Sequence, residues 1–320
     1  MGVKSSGELS FTNDIVGEYG GTAPHSFSEY RRGGGEVPDI QPNNAISSSN
    51  SNISFSDFYG TTDRVALSLQ IGGEEKDYNI YNNMPAGYVE HATDLTVTIG
   101  SNAIVGSNST NNFALDTGTG YSTTDTLTII NNGLIIGRGG NGGFGGRAQY
   151  QSTTNTNAGT AGTNGGHGFR AQFACTFTNN GSVYGGGGGG PGQGGHWSTL
   201  NDPKAGLIAH SRGGRGGGGG AGFPGGSPGT GGPVTVVGSI NSLYQSAGDP
   251  GQAGTSTQGG SYGGGGPGQD GFPAASASGV GNSTYSAGNA AGGQRGLYLS
   301  GQAYVNNGAG ISGTVGGRVS

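Results

Sequence analysis

Glycine returns at every third position over several stretches of this chain, and that spacing restricts the fold more than any other feature. In "GRGGNGGFGGRAQ", Gly137 to Gln149, the triplets from Gly139 leave only Asn141, Phe144 and Arg147 with side chains. Gly159, Gly162, Gly165 and Gly168 repeat the phase, as do Gly186, Gly189, Gly192 and Gly195. So do Gly213, Gly216, Gly219, Gly222 and Gly225. A period of three fits neither an α-helix nor a β-strand. It fits the polyproline II helix, which has three residues per turn. A bare glycine face lets two such segments approach and exchange backbone hydrogen bonds, because no Cβ intervenes.

The alternative reading is a floppy linker. Glycine makes up 77 of 320 residues, but the chain also holds 14 Tyr and 11 Phe and is only 10% charged. Disordered linkers are usually richer in charge and poorer in aromatics. Collagen is excluded, because there are only 12 prolines and the triplet runs are short. Ordering so much glycine carries a high entropic cost. A lattice of short polyproline II helices from one chain offsets it if the backbone groups find partners in each other.

A second repeat lies between the glycine runs. "LTIINNGLIIG" (127–137), "TFTNNGSVYG" (176–185) and "YVNNGAGISG" (304–313) each join two β-prone stretches through Asn-Asn-Gly. "LTVTIGSNAIVG" (95–106) is a looser copy. Asn and Gly tolerate the positive φ of tight turns. Such copies predict stacked rungs or hairpins. The expected fold is all-β with little or no α-helix. It has a hairpin or solenoid-like middle and a glycine-rich polyproline II lattice. No stretch of 18 apolar residues predicts a membrane insertion.

The first 62 residues differ again. "GELSFTNDIVGEYG" and "SNISFSDFYGTT" are two versions of one element, and "HSFSEYRRGGGEVPD" between them reads as a polar loop. The expected divisions are a small N-terminal module (1–62), a β-rich domain (63–136), a glycine-rich domain with interspersed rungs and loops (137–299) and a C-terminal β segment (300–320).

Several motifs together resemble the glycine-rich tail-fibre adhesins of tailed bacteriophages. They are "ISFSDFYG", "KDYNIYNNMPAG", "DLTVTIGSNAIVGSNST", "FALDTGTGYSTTDTLTIINNGLIIGRGGNGG" and "VYGGGGGGPGQGG". The likeness runs to about residue 195. It implies a virion tail protein, made in the host cytoplasm and without a secretory signal. Residues 1–62 would attach it to other tail or baseplate proteins, with Phe11, Phe55, Phe58 and Tyr59 as contacts. Tip loops of the glycine domain would bind a host surface glycan or outer-membrane protein. It also implies a homo-oligomer, with a trimer favoured.

The chemistry of the chain fits a binding role. His25, His91, His167, His196 and His210 are too scattered for a metal site. There is no nucleophile elbow or phosphate loop, so no catalytic residue, cofactor or metal is expected. "SRGGRGGGGG" (211–220) raises the alternative of an Arg-Gly-Gly RNA binder. A net charge of −5 argues against nucleic acid as a partner. The other alternative is a structural tail protein without receptor contact. Cys175, the single cysteine, reads as buried. Aromatic side chains give much contact area at low entropy cost. Trp197 with His196, then Tyr150, Tyr244, Tyr262 and Tyr285, are therefore the candidate receptor contacts. All are expected on loops that interrupt the glycine runs, chiefly 196–209 and 238–247.

Overall fold

The computed structural model describes residues 2–49, 52–149, 157–202, 206–235, 242–246, 251–261, 263–273, 283–286 and 290–320. The chain divides into two compact units. One is Met1–Leu69 with Asn83–Val97 and Gly120–Thr128, and the other is Gln70–Asn82 with Thr98–Thr119 and Ile129–Ser320. Among the described residues, no helix is long and apolar enough to cross a membrane.

In the first unit the N-terminal segment folds by short helical turns around a small core. Ile15, Tyr30, Val37 and Phe58 are fully buried, with Val3, Tyr19 and Ile46 beside them. Asn43 is buried as well, and it ties the segment together. Its amide donates to the carbonyls of Pro38 (3.0 Å) and Thr62 (2.8 Å), and its oxygen accepts from the Thr62 N–H and the Tyr19 hydroxyl. The polar stretch read as a loop is a third copy of the flanking element. Ser26 caps the turn Phe27–Tyr30 with Glu29 reaching back to the Ser26 N–H, as Ser54 caps Phe55–Phe58 with Asp57. The reciprocal cap satisfies amides that would otherwise be orphaned at the start of each turn. Ser10 and Asp14 form the same cap one residue wider.

The second unit is built on a parallel β-solenoid. One five-stranded sheet stacks Glu74–Lys76, Ile104–Gly106, Leu134–Ile136, Ser182–Tyr184 and Thr314–Gly316. Another stacks Tyr78–Asn79, Phe113–Asp116, His167–Arg170, Leu297–Ser300 and Arg318–Val319. A further sheet has Thr176–Asn179 as its edge strand. Parallel register rules out the hairpin version of the repeat: each copy is a rung stacked on the one before. Apolar side chains stack in columns, with Leu115, Phe169 and Leu299 in register and fully buried. The Asn-Asn-Gly turns stack too. The Asn131 amide donates to Asn179 Oδ1 at 2.8 Å and that of Asn180 to Asn132 Oδ1 at 3.0 Å. A Cβ on Gly181 would stand 2.0 Å from the Gly133 carbonyl oxygen, so this column admits only glycine. Burial pushes the Cys175 thiol up to about 12 and keeps it inert.

The last copy departs from the repeat. Asn306-Asn307-Gly308 does not form the rung turn; Asn306 and Asn307 take left-handed φ values of 49° and 55°. Asn306 uses its side chain as a substitute strand. Its oxygen accepts the Phe177 N–H (2.8 Å) and its amide donates to the Phe177 carbonyl (3.1 Å). An edge that would present unpaired backbone is closed by one side chain.

The glycine segments are insertions into two rungs. Residues 137–166 leave after Leu134–Ile136 and return at His167. Residues 185–296 leave after Ser182–Tyr184 and return at Leu297. Their hydrogen bonds step in threes. The amides of Gly140, Gly143 and Gly146 donate to the carbonyls of Gly187, Gly190 and Gln193. Those of Gly139, Gly142 and Gly145 donate to Pro224, Ser227 and Thr230. Gly189 and Gly192 donate to Thr163 and Thr160.

The number of glycines per triplet follows how many neighbours crowd the segment. In 157–166 one position in three, Gly159, Gly162 and Gly165, faces another segment, and the residues between are exposed or half-buried until Gly165. In 139–147 two in three do: Gly140, Gly143 and Gly146 face 157–163, while Gly139, Gly142 and Gly145 face 214–220. In 186–189 and 216–220 every position is packed, and a Cβ would meet backbone at 1.9 to 2.3 Å. The sequence expectation of one bare face holds for 157–166 and for 226–232, where Gly226, Gly229 and Gly232 face 140–146 and the residues between are exposed or half-buried, but not for the inner segments.

Candidate functional site

The described residues of the segments expected as receptor loops form strands. His196–Asp202 pairs antiparallel with Gly206–Arg212 over seven positions, from His196↔Arg212 to Asp202↔Gly206. Ser283–Ser286 joins on one side and Ser242–Ser246 on the other. The physical reason is the exit from the glycine lattice. Backbone groups that leave Gly195 and approach Gly213 still need partners. "HWSTLND" and "GLIAHSR" carry the β-prone Trp, Thr, Leu and Ile that let them pair with each other.

This sheet gathers four of the six candidate contacts. Trp197 lies opposite Tyr285 across one strand pair, His196 is its chain neighbour, and His210 lies opposite Tyr244 across another. Tyr244 and Tyr285 are placed by register alone. Tyr150 and Tyr262 fall outside the described residues. Trp197 and His196 are half-buried, whereas Ser198 (2% exposed) and Ser211 (2% exposed) are closed off. Burial, and then the Arg212 charge, push the His196 imidazole below its ordinary value, so it is neutral at physiological pH. Arg212 and Arg215, the residues of the Arg-Gly-Gly motif, are half-buried, and the Arg215 carbonyl accepts the Gln193 N–H at 2.9 Å. That motif is packed backbone here and does not form a solvated tail. Among the described residues no group of three His, Cys, Asp or Glu side chains is placed to hold a metal.

The N-terminal candidates form a second constellation. Each of the three capped turns begins with a phenylalanine, and the three rings meet. Phe11 and Phe27 centroids are 4.9 Å apart, Phe27 and Phe55 5.0 Å, and Phe11 and Phe55 6.2 Å. Edge and tilted contacts of this kind are favourable beyond area burial alone. Phe55 remains 41% exposed and Phe11 is half-buried. Phe58, by contrast, is fully buried in the core, and Tyr59 donates its hydroxyl to the Gly7 carbonyl. Of the four residues named, Phe11 and Phe55 thus reach the surface patch and Phe58 does not. Sequence reasoning missed Phe27; the signal was Ser-Phe-Ser followed directly by a carboxylate, shared by Ser26–Glu29 and Ser54–Asp57, with Ser10-Phe11-Thr12-Asn13-Asp14 as a looser copy.

Residues 66–319 match the family described as phage tail fibre adhesin Gp38. No curated protein matches the chain. Among solved structures, the gp37-gp38 adhesin tip complex of the bacteriophage S16 long tail fiber aligns at 19% identity and a TM-score of 0.40, covering 83% of this chain and 88% of that one.

Proposed function

Because the chain belongs to the phage tail fibre adhesin family, we propose that it is the part of a virion tail fibre that touches the host, acting by binding and without catalysis. Residues 1–65 lie outside the family match and carry their own aromatic core, which supports a separate attachment module. In this reading the ring cluster of Phe11, Phe27 and Phe55 seats on another tail protein. The glycine segments are polyproline II helices that make a stiff mount. The four-stranded sheet bearing Trp197, His196, Tyr244 and Tyr285 grips a surface glycan or an outer-membrane protein, with several copies of the chain acting together.

The observation that carries the receptor assignment is the convergence of those residues on one sheet between glycine segments. The test is adsorption of the purified protein to host cells. A central aromatic anchor is worth about 2 kcal/mol or more, so Trp197→Ala loses roughly thirtyfold in affinity. Unchanged adsorption by a variant with the parental unfolding profile removes this sheet from the contact.

A further inference from the structure

On the outward side of the solenoid, Asn79, Asp116 and Arg170 occupy the same register position on three successive parallel strands. Adjacent strands are about 4.8 Å apart, so this polar column spans about 10 Å. A cavity of about 220 Å³ opens over it. Asp77, Asn111 and Asn112 form its rim, and the Phe113 ring forms part of its wall. The rim is held in place by backbone. The Asn112 N–H donates to the Ser109 carbonyl (3.2 Å), the Asn112 carbonyl accepts from the His167 N–H (3.3 Å), and the Asn111 N–H donates to Ser109 Oγ (3.2 Å). The side-chain amides of Asn111 and Asn112 are exposed and make no hydrogen bond to other described residues.

The lining excludes most ligand classes. A cation would need several carboxylates. Asp116 is already held by Arg170 Nε at 3.1 Å, by Arg170 Nη2 and by the Gly118 N–H. Asp77 accepts the Asn108 N–H and amide at 3.0 and 2.9 Å. An anion finds its one guanidinium neutralised by Asp116 and meets the Asp77 charge. An apolar ligand finds only Phe113, itself covered by the Arg170 guanidinium at 4.9 Å. The exposed Asn111 and Asn112 amides and the Asp77 carboxylate, each of whose oxygens accepts a single hydrogen bond, suit a neutral molecule dense in hydroxyls beside the Phe113 ring. The volume falls below that of a drug-sized pocket and fits one ring.

We propose that this cavity is a subsite for one neutral sugar residue of a surface polysaccharide, separate from the Trp197 sheet. The proposal rests on the adhesin reading and names a ligand class for it. Its test uses no host cell: saturation-transfer NMR of the full-length protein with the methyl glycosides of glucose, galactose and N-acetylglucosamine, and with glucuronic acid. At least one neutral glycoside receives magnetisation, and glucuronic acid binds more weakly than it does. The Asn111→Ala/Asn112→Ala variant, which alters exposed side chains and retains the parental unfolding profile, binds that glycoside roughly tenfold more weakly, as expected for two lost hydrogen bonds. No transfer to any neutral glycoside, equal binding by the variant, or a preference for glucuronic acid each overturns the proposal. Any of these with host adsorption intact removes the subsite and leaves the adhesin reading standing. Sugar binding without host adsorption does the reverse.

Discussion

Tyr30 and Phe58 are fully buried in the N-terminal unit, and that core is made of rings and branched side chains. Gly185 to Gly190 and Gly216 to Gly220 are just as buried, yet they have no side chain to bury. The first core excludes water from apolar area, at roughly 1.5–3 kcal/mol per large side chain. The second gains little from that source. Its segments are held by amide-to-carbonyl bonds such as Gly220→Gly140 at 2.7 Å and Gly189→Thr163 at 2.9 Å, each worth about 1 kcal/mol net. The two therefore differ in what they tolerate. A side-chain core is damaged by removing atoms, and a backbone core by adding them.

The largest expected effect follows from that asymmetry. A Cβ on Gly220 would lie 1.9 Å from the Gly187 carbonyl oxygen, and one on Gly189 1.9 Å from that of Asn141. Backbone cannot swing aside as a flexible side chain does. Gly220→Val is expected to destabilise the second unit beyond about 5 kcal/mol, while Arg215→Ala in the same run costs less than about 1 kcal/mol. Chemical denaturation of both variants checks this, and equal effects break the comparison. Next comes the converse experiment. Phe58→Ala leaves a cavity in the aromatic core and costs about 3–5 kcal/mol. Its effect should be confined to residues 1–62, so limited proteolysis cuts there first and spares the glycine segments.

The smallest expected effect is electrostatic. His167 Nδ1 accepts the Leu297 N–H at 3.1 Å, which requires a neutral ring. Burial, and then the charge of Arg318, lower its pKa from an ordinary value near 6.5. The unfolded chain then binds the proton more readily than the folded one, so stability is complete above pH ~6.5 and falls as the pH drops below it. Replacing His167 by Asn keeps an acceptor and removes the titration. Thermal unfolding between pH 7.5 and 5 should flatten in that variant, and an unchanged slope assigns the effect to other groups.

Much of this was legible in the residues. Asn131-Asn132-Gly133 and Asn179-Asn180-Gly181 marked the rungs, and the glycine phase marked the lattice. Periodicity alone could not tell parallel stacking from hairpins, because both repeat an apolar stretch and a turn. The last Asn-Asn-Gly misled for a related reason: Asn306 satisfies Phe177 with its side chain, a use that leaves no periodic trace. The strands at His196–Asp202 and Gly206–Arg212 read as loops because their pairing partners are set by where the glycine segments end. The depth of each glycine segment, by contrast, was written in its triplets: one glycine for "AGTAGTNGG", two for "GGNGGFGGR", three for "GGGGGG". That relation emerges only once neighbours are counted in three dimensions.

Amide hydrogen exchange tests the central claim most directly, that a backbone-only core holds the glycine region. The amides of Gly140, Gly143, Gly189, Gly217 and Gly220 all donate within the lattice. They are predicted to exchange only through global opening of the unit, as slowly as those of Val183 and Phe169 in the solenoid. Exchange at the rate of an unstructured chain, with the solenoid amides still protected, would contradict it.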